Sequence, residues 1–261
     1  MTFAEQRELF RKKCELYRKI LPLLSKEEKE NYDEWFKIDF THNSTAIDGN
    51  RLTNLDAVQV LCEKMSPYSS VPLEHIEIVQ HHADAWGYWL SGTEPSKKNI
   101  TEDEIQHIYF LLLDDWILHS GYRHCELAIR HSTYRPPAAK DVPALMKEQM
   151  AAYAQQDFSS IAEEAAALHM IIATIMPFQM FNGLVARMAV NELLLLKGYP
   201  AISIRVKDKV RYLKLIEEYE NTGTLWPFAK FLQENIERTL DRFLLLYDYH
   251  LNEGGSDEEK I

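Results

Sequence analysis

The sequence predicts an all-α protein of about ten helices with one short β-hairpin flap. Three observations predict it. Only 9 of the 261 residues are Gly and 10 are Pro, too few for a loop-rich or all-β chain. Helix-capping pairs recur, as in Ser25 with Glu28 and Thr101 with Glu104. Apolar residues also repeat at helical spacing along most of the chain.

The elements follow in order. Leu9, Phe10, Leu16, Tyr17 and Ile20 place a helix over 4–20. The Ser25–Glu28 box opens a second, expected to end near Phe40. Asn54 is expected to cap a short helix over 55–65, broken by Pro67 and Pro72. A helix over 73–91 carries Trp86, Tyr88 and Trp89, and Thr101 starts another that runs to about His119. From Gly121 to Pro137 the pattern alternates, with Cys125, Leu127 and Ile129 on one side and Glu126, Ala128 and Arg130 on the other. That period of two predicts the hairpin, which Pro136 and Pro137 end. Helices resume at 141–155, 158–174, 183–197, 208–220 and 225–249, and Gly198 followed by Pro200 stops the third of these. The chain divides into N-terminal helices over 1–70, a core over 71–250, and an acidic end over 251–261 that reads as disordered.

Composition bounds function. A net charge of −11 argues against a nucleic-acid partner, because phosphate contacts need a positive surface. No run approaches the roughly 18 apolar residues of a membrane span. The N-terminal residues lack the pattern of a secretory leader. Three widely spaced cysteines, Cys14, Cys62 and Cys125, fit neither a disulfide framework nor a metal site and are expected to be buried thiols, so a cytoplasmic setting is expected. His81 and His82 are adjacent, so on a helix they point about 100° apart and do not chelate; His82 shares a face with Trp86, which favours packing. Glu163 and Glu164 suit a first helical turn. Arg205, Lys207 and Lys209 read as a solvated face.

The informative stretch is 165–205. His169 lies seven residues before Met176; Pro177, Phe178, Asn182, Gly183 and Arg187 follow, then Asn191, a leucine run over 193–196, and Gly198-Tyr199-Pro200. This resembles the centre of the Fic family. There a helix leads into a loop written His-x-Phe-x-(Asp/Glu)-Gly-Asn-Gly-Arg-x-x-Arg, and a leucine-rich helix ends in Gly-Tyr-Pro. Gly121-Tyr122-Arg123 and the segment after it look like the family's target-docking flap, and Tyr212 with Trp226-Pro227-Phe228 like its C-terminal elements. Ser44, Asp48 and Gly49 are similar to its inhibitory motif, (Ser/Thr)-x-x-x-Glu-(Gly/Asn), within the N-terminal helices. The matches span about residues 40–235.

The resemblance implies a Fic fold, ATP and Mg²⁺ as cofactors, and AMP transfer to protein hydroxyls. In the family the His is the base, the acid binds Mg²⁺, and the two Arg side chains grip phosphates. This chain departs at those positions. Met176 stands at the His and Met180 at the acid; Phe181 replaces the first Gly and Leu184 the first Arg. A thioether takes no proton at neutral pH and is a poor ligand for a hard cation. No catalytic base and no metal ligand are therefore assigned. Asn182, Gly183 and Arg187 are a remnant nucleotide-binding frame.

Met176, Met180, Phe181 and Leu184 form an altered pocket. They either fill the old cleft as core or make a site for a hydrophobic ligand or peptide. The resemblance implies that the acid of the inhibitory motif pairs with the loop's second Arg, here Asp48 with Arg187. Arg187 would otherwise be a lone charge, which is costly when buried, so Asp48 is expected within about 8 Å of it, inside the reach of one bridging water. The competing expectation is that Asp48 only caps a turn with Gly49. His169, on an apolar face, reads as a hydrogen-bonded core residue. Three functions stand open: a catalytically degenerate binding or regulatory module under autoinhibition; a transferase of a nucleotide or other phosphate-containing group with altered mechanism, leaning on Asn182, Gly183, Arg187 and His169; and a toxin-neutralising or scaffold partner that binds a protein through the flap over 122–137. His119, His124 and His131 border that flap and either meet a bound partner or are simply exposed loop polarity.

Overall fold

The structure, a computed structural model, describes residues 3–67, 70–92, 99–113, 121–129 and 134–253. Helices α1 (Phe3–Ile20), α2 (Lys26–Ile47), α3 (Asn54–Val58), α4 (Leu73–Gly92) and α5 (Glu102–Leu113) come first. Helices α6 (Val142–Gln155), α7 (Ile161–Ile175), α8 (Asn182–Leu196), α9 (Lys209–Thr222), α10 (Trp226–Tyr247) and the short α11 (His250–Glu253) follow. Every regular element among the described residues is helical, and none of these helices is long and apolar enough to cross a membrane.

The caps work as the residue types dictate. Glu28 N–H donates to Ser25 Oγ at 3.2 Å and Ser25 N–H to Glu28 Oε2 at 2.7 Å, closing the box at the start of α2. Thr101 and Glu104 do the same for α5. The cap of α3 is Thr53 rather than Asn54, because Thr53 has Asp56 three residues on to complete its box. Beyond Val58 the chain widens into a π-turn over Gln59–Glu63, ended by Lys64 in the left-handed conformation.

The centre is the α7–α8 hairpin. Leu184, Val185, Ala186, Met188, Ala189, Leu193 and Leu194 are all at most 1% exposed, so α8 is buried on every side. Around it, α1 meets α10 through Tyr17 and Phe243, ring centroids 4.7 Å apart, and α2 meets α4 through Phe36, Phe40 and Trp86. One hydrophobic core includes residues from α1 and α2 as well as α4–α10.

Four expectations need correction. Helix α2 continues past Phe40 to Ile47. Its polar last turns are held by burial and bonding: Thr41 Oγ1 lies 3.0 Å from His82 Nδ1, and Thr45 Oγ1 donates to Thr41 O at 2.8 Å. The hairpin flap is not formed: residues 121–129 and 134–138 are irregular, while 130–133 lie outside the described residues. The donors there go elsewhere, with Arg123 N–H on Pro177 O at 2.9 Å and the Arg123 side chain on the carbonyls of Cys125 and Pro137. Cys14 is buried, its thiol pushed up to about 11 by burial, but Cys62 and Cys125 are exposed because both sit on irregular or terminal turns. The C-terminal end is helical over 250–253, where Glu28 receives His250 Nε2 at 2.9 Å; residues 254–261 lie outside the described residues, as do 114–120 beyond α5.

Candidate functional site

The site forms where the loop over 176–181 turns α7 into α8. Two non-glycine residues in the left-handed region bracket it, Met176 with φ 47° and Phe181 with φ 63°. Such residues are uncommon and are held by their surroundings. Phe178 is fully buried and stacks on Tyr109, centroids 4.0 Å apart. Asn182, the first residue of α8, reaches back to bond both backbone groups of Phe178: its Oδ1 accepts from the N–H at 2.9 Å and its Nδ2 donates to the carbonyl at 2.8 Å. Asn182 is thus a structural pin of the loop. The carbonyl of Met176 accepts from Arg123 Nε at 2.7 Å.

One turn into α8, Arg187 points away from the loop toward the end of α2. It is 4% exposed. Its Nε donates to Ser44 Oγ and its Nη2 to the Ser44 carbonyl, both at 2.9 Å. Nη2 also meets Asp48 Oδ1 at 3.0 Å, and Nη1 donates to Tyr212 Oη at 3.2 Å. Burial disfavours the charged guanidinium, but Asp48 and Tyr212 outweigh it and raise the Arg187 pKa. The Asp48–Arg187 separation therefore falls well inside the 8 Å bound set by sequence. Asp48 also terminates α2, with Gly49 following at φ 104°. Its carboxylate nonetheless reaches beyond that turn, so capping is not all it does.

The position of that carboxylate is informative. A Cβ on Gly183 would lie 2.9 Å from both Asp48 oxygens and 3.0 Å from Arg187 Nη1. The Asp48 side chain thus rests against the first turn of α8, where unpaired N–H groups and the helix dipole favour an anion. Only a glycine leaves room for it there.

Behind Arg187 the network continues inward. Tyr212 Oη lies 2.7 Å from His169 Nε2. Arg187 has only donors to offer, so Tyr212 accepts from Arg187 and donates to Nε2 of a neutral His169, whose buried Nδ1 has no hydrogen-bond partner among the described residues. His169 is 1% exposed, and burial together with the Arg187 charge holds its pKa down to about 3. His82 is held down to about 3 for the same two reasons. His169 is thus the bonded core residue expected, and His82 packs its ring 4.8 Å from Phe40.

The four altered positions divide. Leu184 is core at 1% exposure. Met180 and Phe181 are partly buried against that core, and Met176 is half-buried. Tyr212 joins the site through a hydroxyl that no local spacing connects to residue 187, and Arg123 through a side chain that no spacing connects to residue 176. Among the described residues no three His, Cys, Asp or Glu side chains gather as a metal cluster.

A profile of the Fic/DOC family matches residues 99–194. The protein adenylyltransferase Fic of Nematostella vectensis is 30% identical over 209 residues, covering 78% of this chain and 48% of that protein. The protein adenylyltransferase Fic of Aedes aegypti is 28% identical over 226 residues, covering 85% and 43%. The chain thus spans about half the length of the curated relatives it matches. Among solved structures, a Fic-domain-containing signaling protein from Bacteroides thetaiotaomicron superposes with a TM-score of 0.78 at 24% identity, covering 89% of this chain and 94% of that one. Fic-1 from C. elegans gives a TM-score of 0.74 at 19% identity, covering 92% and 72%. These two likenesses show the fold.

Proposed function

Because residues 99–194 of the chain belong to the Fic/DOC family, we propose that it works as a binding or regulatory module on that family's scaffold, without conventional AMP transfer. The observation that carries this reading is the Asp48 carboxylate lying on Arg187 and the first turn of α8, where a phosphate would otherwise sit. Ser44, Asp48 and Gly49 act here as an autoinhibitory plug, built from the end of α2. The side chains at the loop support the same reading. Met176 offers no base, and Leu184 no phosphate contact. The residues do not fit Mg²⁺, because the Met180 thioether stands where the family has its acid and sulfur is a poor donor to a hard cation. Losing a general base alone costs about 10²–10⁴-fold in rate.

The test is incubation with ATP labelled on the α-phosphate, Mg²⁺ and candidate target proteins. No transferred label is expected. Robust labelling that disappears in Arg187→Ala would overturn the proposal.

A second reading is favoured by what survives. Asn182, Gly183 and Arg187 still frame an anion cradle at the start of α8. A transferase of a nucleotide or other phosphate-containing group would use that cradle once Asp48 withdraws. The relatives named protein adenylyltransferase make this the natural alternative. Nucleotide-dependent thermal stabilisation of Asp48→Ala, together with labelling of a target, would favour it. Under either reading the segment over 122–137 is the surface we propose for a protein partner. Two exposed free thiols, Cys62 and Cys125, suit a reducing compartment such as the cytoplasm.

A further inference from the structure

Arg123 is the second buried guanidinium of the molecule's centre, at 3% exposure, and it contacts neither the α8 turn nor Asp48. Its Nε donates to Met176 O at 2.7 Å, Nη1 to Cys125 O at 3.0 Å, and Nη2 to Pro137 O at 2.6 Å, with Ile175 O 3.4 Å away. Its own backbone N–H donates to Pro177 O at 2.9 Å. One side chain therefore ties three stretches of chain: both described arms of the flap and the junction of α7 with the central loop. Its charge is balanced chiefly by carbonyl dipoles. Two of them belong to the C-terminus of α7, the negative end of that helix. Glu126 Oε2 lies 3.9 Å off on a side chain that is 69% exposed.

The residue at the middle of this clamp is the strained one. Met176 holds φ 47° without being glycine, and a conformation of that kind persists only when its neighbours impose it. Arg123 grips the carbonyl of that residue. We propose that Arg123 is a positioning residue: it imposes the left-handed turn at Met176 and makes the irregular segment over 121–127 and the central loop a single opening unit. Displacing that segment then displaces the loop. This goes beyond the binding-module reading and does not depend on the loss of chemistry. The planar fork is essential to it, since a lysine ammonium cannot span carbonyls on three segments.

Hydrogen exchange measured by mass spectrometry tests this on the full chain. In Arg123→Lys, amides of 121–127 and 176–182 should exchange at least tenfold faster, by similar factors, while those of 165–172 and 184–194 keep their rates. Adding Met176→Gly relieves the turn of its strain, so in the double variant loop exchange should return at least threefold toward the parent. Faster exchange in the flap alone would overturn the proposal, as would unchanged rates in both segments. Uniform acceleration across the helices would do so too, because it assigns Arg123 to global stability. If Arg123→Lys does not fold, the double variant decides: folding with a protected loop supports the proposal, and failure to fold overturns it.

Discussion

Replacing Asp48 by alanine removes the carboxylate 3.0 Å from Arg187 and leaves the guanidinium in place. Breaking a fully buried pair by deleting one partner costs about 3–5 kcal/mol, while exposed pairs are worth about 0–1 kcal/mol. This pair is asymmetric: the Arg187 side chain is 3% exposed and the Asp48 side chain 34%. Water reaches the vacated place, and Ser44 and Tyr212 keep three hydrogen bonds on the guanidinium. The loss should therefore be about 1–2 kcal/mol. For a chain of this size that lowers Tm by about 3–6 °C in a calorimetric melt.

The same variant opens the start of α8, so inorganic phosphate should take the carboxylate's place. With a Kd of about 10 mM, 100 mM phosphate returns about 1.4 kcal/mol, which is the size of the loss. Melts of Asp48→Ala in phosphate and in chloride of equal ionic strength should thus differ by several degrees, and the parent should show no such difference. Adding Arg187→Ala should remove the phosphate effect. A Tm for Asp48→Ala within 1 °C of the parent, or equal stabilisation of both proteins by phosphate, would refute the reasoning.

Gly183→Ala puts a methyl group 2.9 Å from the Asp48 oxygens; it should destabilise the parent by about 1–2 kcal/mol and add little to Asp48→Ala, since neighbouring effects are not additive. Full additivity in urea unfolding would count against the contact. Asn182→Ala strips both bonds from the backbone of buried Phe178 and should cost about 2–3 kcal/mol in the same assay. His169 and His82 are held to about 3 by burial and Arg187, against about 6.5 when unfolded. The unfolded chain takes up protons first, so their stabilising contribution is complete above pH 6.5 and falls by up to about 1.4 kcal/mol per pH unit for each as the pH drops toward 3. Glu220, raised to about 7 by burial and by Glu217, works with the opposite sign, stabilising below its unfolded value and losing that as pH rises through 7. His42, which burial also lowers, works with the pair, and Asp33, which burial raises, works with Glu220. The three histidines dominate from pH 7 to pH 5, so Tm falls there, and His169→Gln should flatten that slope; parallel slopes would sink the assignment.

What could be read from sequence was what is local. The capping boxes at Ser25 and Thr101 need only residues three apart, and both form. Where local preference and packing disagree, sequence misleads. Thr41, Asn43, Ser44 and Thr45 are weak helix formers, and local preference does not carry α2 past Phe40. In the fold all four are buried and bonded, with Thr41 on His82 and Asn43 receiving Val206 N–H at 3.0 Å, and tertiary contacts carry the helix seven residues further. The alternation over 125–130 misled for a related reason. A period of two says which side chains share a face, but a ladder also needs backbone groups free to pair, and Arg123 had already engaged the carbonyls of Cys125 and Pro137.

The candidate site divides along the same line. The loop and α8 were legible because their residues are contiguous, and Asp48 because the resemblance places the acid of the inhibitory motif against Arg187, a charge that is costly to bury alone. The contacts that Tyr212, His82 and Arg123 make were not, since each acts across at least 25 positions of sequence. The extension of α2 joins the two halves of the site. Had the helix ended at Phe40, Ser44 would not present both its hydroxyl and its carbonyl to Arg187, and nothing would carry the Asp48 carboxylate onto Gly183. The polar turns that make α2 hard to read from sequence are therefore the ones that carry the Asp48 carboxylate to Arg187 and Gly183. Their dependence on packing with His82 and Val206, rather than on intrinsic propensity, makes the end of α2 the element whose loosening would uncover Arg187 and the first turn of α8 while leaving α7 and α8 intact.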